Sequence, residues 1–248
     1  MLSLNGKVCV VTGSSGLIGA EICKALAEQG GTVLALYHQN AARVESLQQE
    51  LDTDRGEIQP IQCDLRNREA GTSIIAGLLR EHGRLDVLVC CAGETLRKSA
   101  LLTSHADCDA LFDLNFDSVV QLCRHALRPM FRQNGGRIIL IGSRAGEHGM
   151  AGQSVYAASK AALHAYAKSL AFEVGEKNIT VNAVAPGVVA GAENSVYSAA
   201  DEARVRELIG LRRPAHAREI ASVVSFLASP AAAYISGAVL AVDGAARF

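Results

Sequence analysis

Tyr156 and Lys160 are the two side chains whose types and spacing most directly predict chemistry. They stand four residues apart in a stretch with helical periodicity, so both project from one face of the same predicted helix. A free tyrosine has a pKa of about 10, and a cation held beside it favours the phenolate and lowers that value. Such a pair is usually a solvated surface pair, but its spacing fits a tyrosine that transfers protons at neutral pH.

A glycine-rich turn near the N-terminus is a candidate phosphate-binding site. Thr12–Gly19 follows an apolar run and precedes a helix-period stretch, with glycines at Gly13, Gly16 and Gly19. Glycines permit a tight turn and close approach of the backbone to a pyrophosphate, while the start of a helix supplies free N–H groups. A purely structural turn is the alternative. The strand before it and the helix after it favour a dinucleotide site.

The end of the second predicted strand bears on the choice of dinucleotide. It reads Leu36-Tyr37-His38-Gln39-Asn40 and carries no acid, whereas a site that prefers NAD usually places Asp or Glu there. An acid would repel a 2′-phosphate, so its absence favours NADP(H), with NAD(H) still possible. The candidate phosphate partners are His38, Asn40 and Arg43.

The elements that must position these residues alternate along the chain as in βαβ units. The apolar runs are continuous rather than alternating, which predicts strands covered on both faces and therefore a parallel sheet. Ala20–Glu28 and Glu219–Ala228 each show one apolar face and are predicted helices. We predict an α/β fold: a single-domain, Rossmann-like, doubly wound parallel sheet with helices on both faces. The predicted strands include Val8–Val11, Val33–Leu36, Val87–Cys91, Ile138–Ile141, Thr180–Ala185 and Val239–Val242.

The length of the chain and the absence of a linker predict one domain. A single domain over residues 1–248 accommodates the whole pattern, since no low-complexity tract, repeat or Pro-rich break divides it. Residues 188–211 are rich in Ala, Ser and charge and lack a strong period. We expect this segment to form a substrate flap over the active site.

Charge and composition exclude several function classes. The formal net charge is −1 and no basic stripe occurs, so nucleic-acid binding is not expected. No segment reaches the roughly 18 apolar residues of a membrane span, which predicts a soluble cytoplasmic protein. The seven cysteines lack CxxC pairs and histidines at metal spacing, so buried free thiols and no metal site are expected.

Taken together, these motifs resemble those of the short-chain dehydrogenase/reductase family, in its single-domain branch. Within the family the closest resemblance is to 3-oxoacyl-[acyl-carrier-protein] reductases, through Gly152-Gln153 and residues 156–160 and 178–182. The likeness covers nearly the whole chain. It is carried by Thr12–Gly19, Asn115, Ser143, Tyr156, Lys160, Asn182–Gly187 and the run from Arg213 to Gly244.

The resemblance implies a catalytic group of Asn115, Ser143, Tyr156 and Lys160. Ser143, thirteen residues before Tyr156, would bind the carbonyl oxygen together with Tyr156, which would deliver the proton. Lys160 would bind the nicotinamide ribose and lower the pKa of the tyrosine, and Asn115 would hold a water beside Lys160. The implied cofactor contacts are Gly13, Ser15, Gly16, Leu17, Ile18, Gly19, His38, Asp64 and Leu65 after the third strand, Ala92, Gly93, Tyr156, Lys160, Pro186, Gly187 and Val189.

The chain departs from the family pattern at three places. Leu17 occupies a position where relatives usually have glycine, so the pyrophosphate contact would be rearranged. Cys90 and Cys91 replace two asparagines that help to bond this strand to its neighbour, which predicts a locally looser sheet. The stretch after Gly187 reads Val188-Val189-Ala190-Gly191 and lacks the threonine that often contacts the cofactor.

These features predict an NADPH-dependent carbonyl reductase that converts 3-oxoacyl to 3-hydroxyacyl groups, in a specialised fatty-acid or polyketide-like pathway. Arg128 and Arg132 could dock an acidic acyl carrier protein, although Phe172 stands where such reductases commonly have Arg. One alternative is an NAD(P)-dependent dehydrogenase of a small alcohol, sugar or polyol. Another is a non-catalytic NAD(P)-binding sensor or scaffold. By resemblance, the assembly is expected to be a homotetramer.

Overall fold

Seven parallel strands form one sheet in the computed structural model, which describes residues 2–51, 55–191 and 205–247. Across the sheet the strands follow the order β3-β2-β1-β4-β5-β6-β7. The order reverses between β1 and β4, and open sheets of this type bind ligands at the carboxyl ends of the strands at such a switch point. The strands are β1 (Val8–Thr12), β2 (Thr32–Tyr37), β3 (Glu57–Gln62), β4 (Val87–Cys90), β5 (Gly136–Ile141), β6 (Ile179–Pro186) and β7 (Val239–Val242).

Helices cover both faces of this sheet, which confirms the predicted α/β fold class. Strand residues alternate between two cores: Val11 and Val33 pack under α1, α2 and α8, whereas Val10 and Leu34 pack under α3, α5 and α7. Because both faces are buried, every position of the central strands favours an apolar residue. The helices are α1 (Leu17–Glu28), α2 (Ala41–Gln49), α3 (Ala70–His82), α4 (His105–Phe112), α5 (Ser118–Gln133), α6 (Ala145–His148), α7 (Ser154–Val174) and α8 (Ala217–Ala228).

β3 is the strand for which the sequence gives no apolar run. It lies at the edge of the sheet, paired only with β2, and most of its residues are exposed or half-buried. Ile58 is its buried residue, and Pro60 is tolerated because an edge strand can leave one amide position unpaired. The predicted helices are present, but α1 begins three residues before Ala20 and α8 two residues before Glu219.

The predicted flap falls partly on residues 192–204, which lie outside the described residues. Its two described ends are held by backbone hydrogen bonds. The amide of Ala190 donates to Ala215 O at 2.9 Å, and the amide of Leu211 donates to Gly244 O at 3.0 Å. Among the described residues, no helix has both the length and the apolar character needed to cross a membrane.

Candidate active site

The structure places Tyr156 and Lys160 on one face of α7, beside the carboxyl end of β5. The Lys160 side chain is 5% exposed, and its Nζ donates a hydrogen bond of 2.9 Å to Ile141 O. The same Nζ lies 5.9 Å from the centroid of the Tyr156 ring. The strand end therefore fixes the ammonium next to the phenol, in a site from which most solvent is excluded.

Burial dominates the electrostatics of both groups. It raises the pKa of Tyr156, and an interaction with the Ser143 hydroxyl partly opposes that rise. Burial also lowers the pKa of Lys160 to about 8, because the ammonium loses its hydration. The sequence predicts a tyrosine pKa lowered by the lysine, but in this structure the desolvation of the phenol is the larger effect. At neutral pH the phenol is protonated and can donate a proton.

Ser143 follows β5 directly and faces the same site. Its Oγ accepts a hydrogen bond of 3.1 Å from the amide of Ala145, at the start of α6. The next residue ties this strand end to the neighbouring one, since the amide of Arg144 donates to Pro186 O at 3.0 Å. The Arg144 side chain adds an ion pair of 2.7 Å with Asp243, after β7. Ser143 is thus held where three strand ends meet.

Asn115 lies in a π-helical turn, Asp113–Asp117, between α4 and α5. Its Oδ1 accepts a hydrogen bond from the amide of Glu94 at 2.9 Å, and its Nδ2 donates to Glu94 O at 2.9 Å and to Ser159 Oγ at 3.1 Å. The side chain therefore joins the segment after β4 to α7. Ser159 completes the link by donating to Tyr156 O at 2.8 Å.

This bonding changes how Asn115 can contribute to the site. The sequence indicates a helical asparagine that holds a water, but three hydrogen bonds already engage both polar atoms of its amide. A π turn displaces hydrogen bonds from the regular helical pattern and is frequent at functional sites. The Asn115 side chain therefore acts here as a link within the protein. Ser159 was missed from the sequence, where a serine inside a helix carries no signal.

The glycine-rich turn forms a backbone cradle at the carboxyl end of β1. Gly13 has φ +69°, and a Cβ there would lie 2.8 Å from Ala92 Cα. A Cβ on Gly19 would lie 2.2 Å from Gly13 O, whereas Gly16 has φ −77° and more space. α1 begins here without a side-chain cap or an acid in its first turn, so its N–H groups can bind an anion. The cradle fits the pyrophosphate of a dinucleotide.

Comparisons with known proteins agree with this geometry. The family model described as Enoyl-(Acyl carrier protein) reductase matches residues 13–245. The chain belongs to the short-chain dehydrogenase/reductase family. It is similar, at 37% identity over 98% of each chain, to a 3-oxoacyl-[acyl-carrier-protein] reductase of Vibrio cholerae. It is 36% identical, again over 98% of each chain, to Nodulation protein G of Rhizobium sp. strain N33.

Solved structures of the family share the fold closely. A dehydrogenase/reductase from Sinorhizobium meliloti superposes with a TM-score of 0.92 at 36% identity, covering 100% of this chain and 97% of the other. A short-chain dehydrogenase/reductase from Serratia marcescens gives 0.90 at 35% identity, covering 98% of each. The protein is therefore an NAD(P)-dependent oxidoreductase.

In this chain the side chain of Thr12 links the carboxyl ends of β1 and β4. Thr12 Oγ1 accepts hydrogen bonds of 2.9 Å from the amides of both Cys91 and Ala92. Two residues after Cys91, a Cβ added to Gly93 would lie 3.0 Å from Asn115 Oδ1 and 3.2 Å from Lys160 Nζ. Only glycine at this position leaves both side chains undisturbed. Although two cysteines replace the asparagines usual in the family, this join is closed by the threonine.

All seven cysteines are free, as expected; four of them are buried, whereas Cys63, Cys91 and Cys108 are half-buried. Burial raises the pKa of Cys91 to about 12, and the neighbouring Cys123 and burial together raise that of Cys90 well above its usual value. Both thiols near Lys160 are therefore neutral. In the described part of the chain no group of three or more His, Cys, Asp or Glu side chains could hold a metal ion.

The predicted adenosine end of the site, after β2 and β3, is more exposed than the surroundings of Lys160. The His38 Nε2 lies 3.9 Å from an Asp64 oxygen, and both side chains are about half exposed. Asn40 caps α2 by accepting from the amide of Arg43 at 3.3 Å. The Arg43 guanidinium pairs with Glu50 along α2, but both side chains are about one-third exposed, so Arg43 stays a predicted phosphate partner.

The end of β6 and the segment after it contain three of the residues predicted to contact the nicotinamide: Pro186, Gly187 and Val189. The amide of Gly187 donates to Val242 O at 3.0 Å, and a Cβ on Gly187 would lie 2.8 Å from Asp243 Cβ, so this turn is tightly packed. Pro186 ends β6. Val189 is 7% exposed and its side chain packs in the core, which leaves only its backbone for a cofactor contact.

The remaining predicted contacts line the same carboxyl edge of the sheet. Leu17, where relatives usually have glycine, is 42% exposed at the start of α1, and Ile18 packs partly against the core. Ser15 and Leu65 are half-buried in the segments after β1 and β3. These positions are consistent with a dinucleotide that crosses the sheet edge from β2 to β6.

Proposed function

We propose that the protein is an NADPH-dependent carbonyl reductase that converts 3-oxoacyl thioesters to 3-hydroxyacyl thioesters. The observation that carries the proposal is the grouping of buried Lys160 with half-buried Tyr156 and Ser143 at the carboxyl edge of the sheet. Two named relatives reduce such substrates: the Vibrio cholerae protein and an acetoacetyl-CoA reductase of Allochromatium vinosum, which is 34% identical over 96% of this chain.

In the proposed reaction, Ser143 and Tyr156 hydrogen-bond the carbonyl oxygen and Tyr156 donates the proton. A bound reduced nicotinamide supplies the hydride to the carbonyl carbon. Lys160 binds the ribose of the cofactor, and the backbone of the π turn at Asn115 holds a water from which the proton is replaced. Because burial raises the pKa of Tyr156, the phenol stays protonated at neutral pH. A protonated donor favours reduction over alcohol oxidation.

NADP(H) is the proposed cofactor because β2 is not followed by an acid. His38, Asn40 and Arg43 are the proposed partners for a 2′-phosphate, and Arg43 would exchange its partly exposed ion pair with Glu50 for the phosphate. NAD(H) is the alternative, and the acid nearest to His38 is Asp64 on the neighbouring segment.

A carrier protein is the proposed donor of the acyl group. Arg128 and Arg132 lie exposed one turn apart on α5, and Arg124 extends the same face by another turn. An acidic partner would fit this row of cations. Phe172, in contrast, is 91% exposed on α7 without charge. That observation favours the second candidate, a dehydrogenase of a small alcohol, sugar or polyol that needs no carrier.

Steady-state assays with the purified chain test these proposals. We expect NADPH to reduce acetoacetyl thioesters, with carrier-linked substrate giving a lower KM than the free thioester. Arg128→Glu should raise the KM for carrier-linked substrate alone. Reduction of NAD by a polyol, with no activity on thioesters, would instead establish the second candidate.

A non-catalytic sensor is the remaining alternative from the sequence. Turnover of any substrate by the wild-type chain, lost in a variant without the Tyr156 hydroxyl, would exclude it. Cofactor binding without turnover of thioesters, alcohols or polyols would support it.

A further inference from the structure

The Arg144 side chain links the strand end that carries Ser143 to the end of β7. Arg144 follows Ser143 directly, and its Nε lies 2.7 Å from a carboxylate oxygen of Asp243. The two side chains are only 16% and 10% exposed. Within the described part of the chain this Nε makes no aligned hydrogen bond, so the contact is an ion pair. Salt screens a pair that is largely shielded from solvent less than it screens a surface pair.

Asp243 in turn contacts the segment predicted to bind the nicotinamide. A Cβ added to Gly187 would lie 2.8 Å from Asp243 Cβ, so the two residues pack directly against each other. The amide of Gly187 also donates to Val242 O, just before Asp243, at 3.0 Å. The other carboxylate oxygen of Asp243 accepts a hydrogen bond of 3.0 Å from the amide of Ala245, which fixes the carboxylate. Asp243 is therefore a common neighbour of Arg144 and of the nicotinamide segment.

The rest of the Arg144 guanidinium contacts α6. It pairs with Glu147 and also contacts His148, three and four residues further along the chain. A guanidinium is planar and holds several acceptors at fixed angles, which a lysine ammonium does not do. One side chain thus joins α6 to Asp243, and through it the turn at Ser143 to β7.

On its other side, the turn that carries Ser143 packs against α7 through two glycines. A Cβ added to Gly142 would lie 2.2 Å from His164 Nε2, and one added to Gly146 would lie 3.1 Å from His164 Cε1. The His164 Nε2 is buried and has no hydrogen-bond partner among the described residues. The close fit with α7 therefore limits movement of the turn towards the helix, whereas the Arg144 side chain ties the turn to β7.

We propose that Arg144 is a positioning residue: through Asp243 it holds Ser143 at a fixed distance from the segment that binds the nicotinamide. The inference rests on the proposed function, in which Ser143 bonds the carbonyl oxygen and the nicotinamide supplies hydride to the carbon of the same group. A misplacement of about 1 Å between such groups can lower the rate by about 100-fold. An ion pair that joins the two sides of the reacting carbonyl controls this distance.

Steady-state kinetics with NADPH and acetoacetyl-CoA test the inference through a double-mutant cycle. We expect Arg144→Met to lower kcat by roughly 10- to 100-fold, with the KM for the thioester within about twofold of the wild-type value. Ser143→Ala removes the group on which Arg144 acts, and it should lower kcat by about 10²- to 10³-fold. In that background Arg144→Met should change kcat by less than about twofold, because the effects of residues that act as a unit are not additive.

Two further variants separate positioning from a loss of stability. Arg84→Met is the matched control, because Arg84 pairs at 2.6 Å with the nearly buried Asp86 at the opposite edge of the sheet. It should lower the free energy of unfolding and leave kcat unchanged. The double variant Arg144→Met/Asp243→Asn leaves no unpaired charge at residue 243. We expect its kcat to stay as low as that of Arg144→Met, because the link is still missing.

Amide hydrogen exchange gives a readout that does not require turnover. The amide of Arg144 donates to Pro186 O at 3.0 Å, and that of Gly187 donates to Val242 O at the same distance. We expect the protection of the amides at residues 144 and 187 to fall at least about tenfold in Arg144→Met, since local opening becomes easier. Arg84→Met should leave the protection of both amides unchanged.

The outcomes distinguish this inference from the proposed function. A normal kcat in Arg144→Met, equal losses in the two backgrounds, recovery in Arg144→Met/Asp243→Asn or unchanged protection would each overturn the role of Arg144 while the reductase function stands. A wild type that does not reduce the thioester would refute the proposed function. The exchange measurement would then decide by itself whether Arg144 positions this edge of the sheet.

Discussion

At the scale of single residues, Tyr156 is the group on which the proposed chemistry depends. Replacing it with phenylalanine removes the proton donor and leaves the ring that packs beside Lys160. We expect Tyr156→Phe to lower kcat by about 10²- to 10⁴-fold, the usual contribution of a general acid. Cofactor affinity, measured by fluorescence titration, should stay close to that of the wild type. A variant with near-normal kcat would contradict the assignment of Tyr156.

Lys160 gives a pH dependence whose direction follows from its environment. Burial lowers its pKa to about 8, so the ammonium is present below that pH and is lost as the pH rises through it. The affinity for a nicotinamide cofactor should therefore be full below pH 8 and should fall above it. Fluorescence titrations across this range measure the effect. Lys160→Met should bind weakly with no such dependence; the same slope in this variant would assign the titration to another group.

The sequence predicts residues whose partners are local and misses those whose partners are distant. Tyr156 and Lys160 share a helix, so their spacing alone places them together. Asn115 bonds to the backbone of Glu94 and to Ser159, contacts that only the packed fold creates. The burial of Tyr156 likewise cannot be read from its neighbours in sequence. The direction of the shift in the pKa of Tyr156 could therefore not be predicted from the sequence alone.

At the scale of elements, the strands buried on both faces were predictable and the irregular ones were not. β5 and β6 are rich in apolar residues and buried along nearly their whole length, because each has neighbours on both sides and helices on both faces. β3 lies at an edge of the sheet, and its residues other than Ile58 are exposed or half-buried, so its pattern resembles an exposed segment. The π turn at Asn115 has no periodic signature, because it depends on the bonding of one side chain.

Two glycines in the turn between β1 and α1 have different backbone conformations, and matched alanine substitutions test whether both positions require glycine. In Gly13→Ala the new Cβ would lie 2.8 Å from Ala92 Cα at a positive φ, so we expect a loss of at least about 2 kcal/mol in the free energy of unfolding. Cofactor binding should be lost as well. Gly16 has a φ of −77°, which any residue can adopt, and an added Cβ would lie 3.3 Å from Gly13 O. We therefore expect Gly16→Ala to lower the free energy of unfolding by about 1 kcal/mol or less.

Chemical denaturation and cofactor titration of both variants measure this difference. Equal losses would mean that the conformation of the turn does not decide which glycines it needs. A Gly13→Ala protein that binds cofactor normally would contradict the role of this turn as the pyrophosphate cradle.

At the scale of the whole molecule, the topology of the sheet explains why the predicted site residues lie together although they are far apart in the sequence. Tyr156 follows β5 in the chain, Gly13 follows β1 and Gly187 follows β6, and parallel strands bring their carboxyl ends to one edge. The fold class therefore determines the neighbourhood of the site. Distances within it, such as that from Lys160 to Ile141, depend on packing between helices and sheet and could not be predicted.

Exposed aromatic rings beside the β7 edge bear on the proposed homotetramer. Phe172 is 91% exposed and Tyr234 is fully exposed. Phe172 follows Ala171 on α7, and Tyr234 stands three residues before Gly237, where an added Cβ would lie 3.5 Å from Ala171 Cβ. A ring of this kind buries about 150–250 Å² in an interface, and full burial of a Phe side chain contributes about 1.5–3 kcal/mol before the costs of association. We infer that this face contacts a second copy of the chain.

Light scattering with size exclusion tests that inference. We expect the wild type to have four times the chain mass and Phe172→Glu to have a smaller mass, because the variant places a charge on the face that would contact the second copy. Leu101→Glu is the matched control, since Leu101 is 94% exposed but lies at the carboxyl edge of the sheet, away from β7. It should leave the mass unchanged. A wild-type protein with the mass of one chain would show that the rings at Phe172 and Tyr234 remain in solvent, and the homotetramer would be wrong.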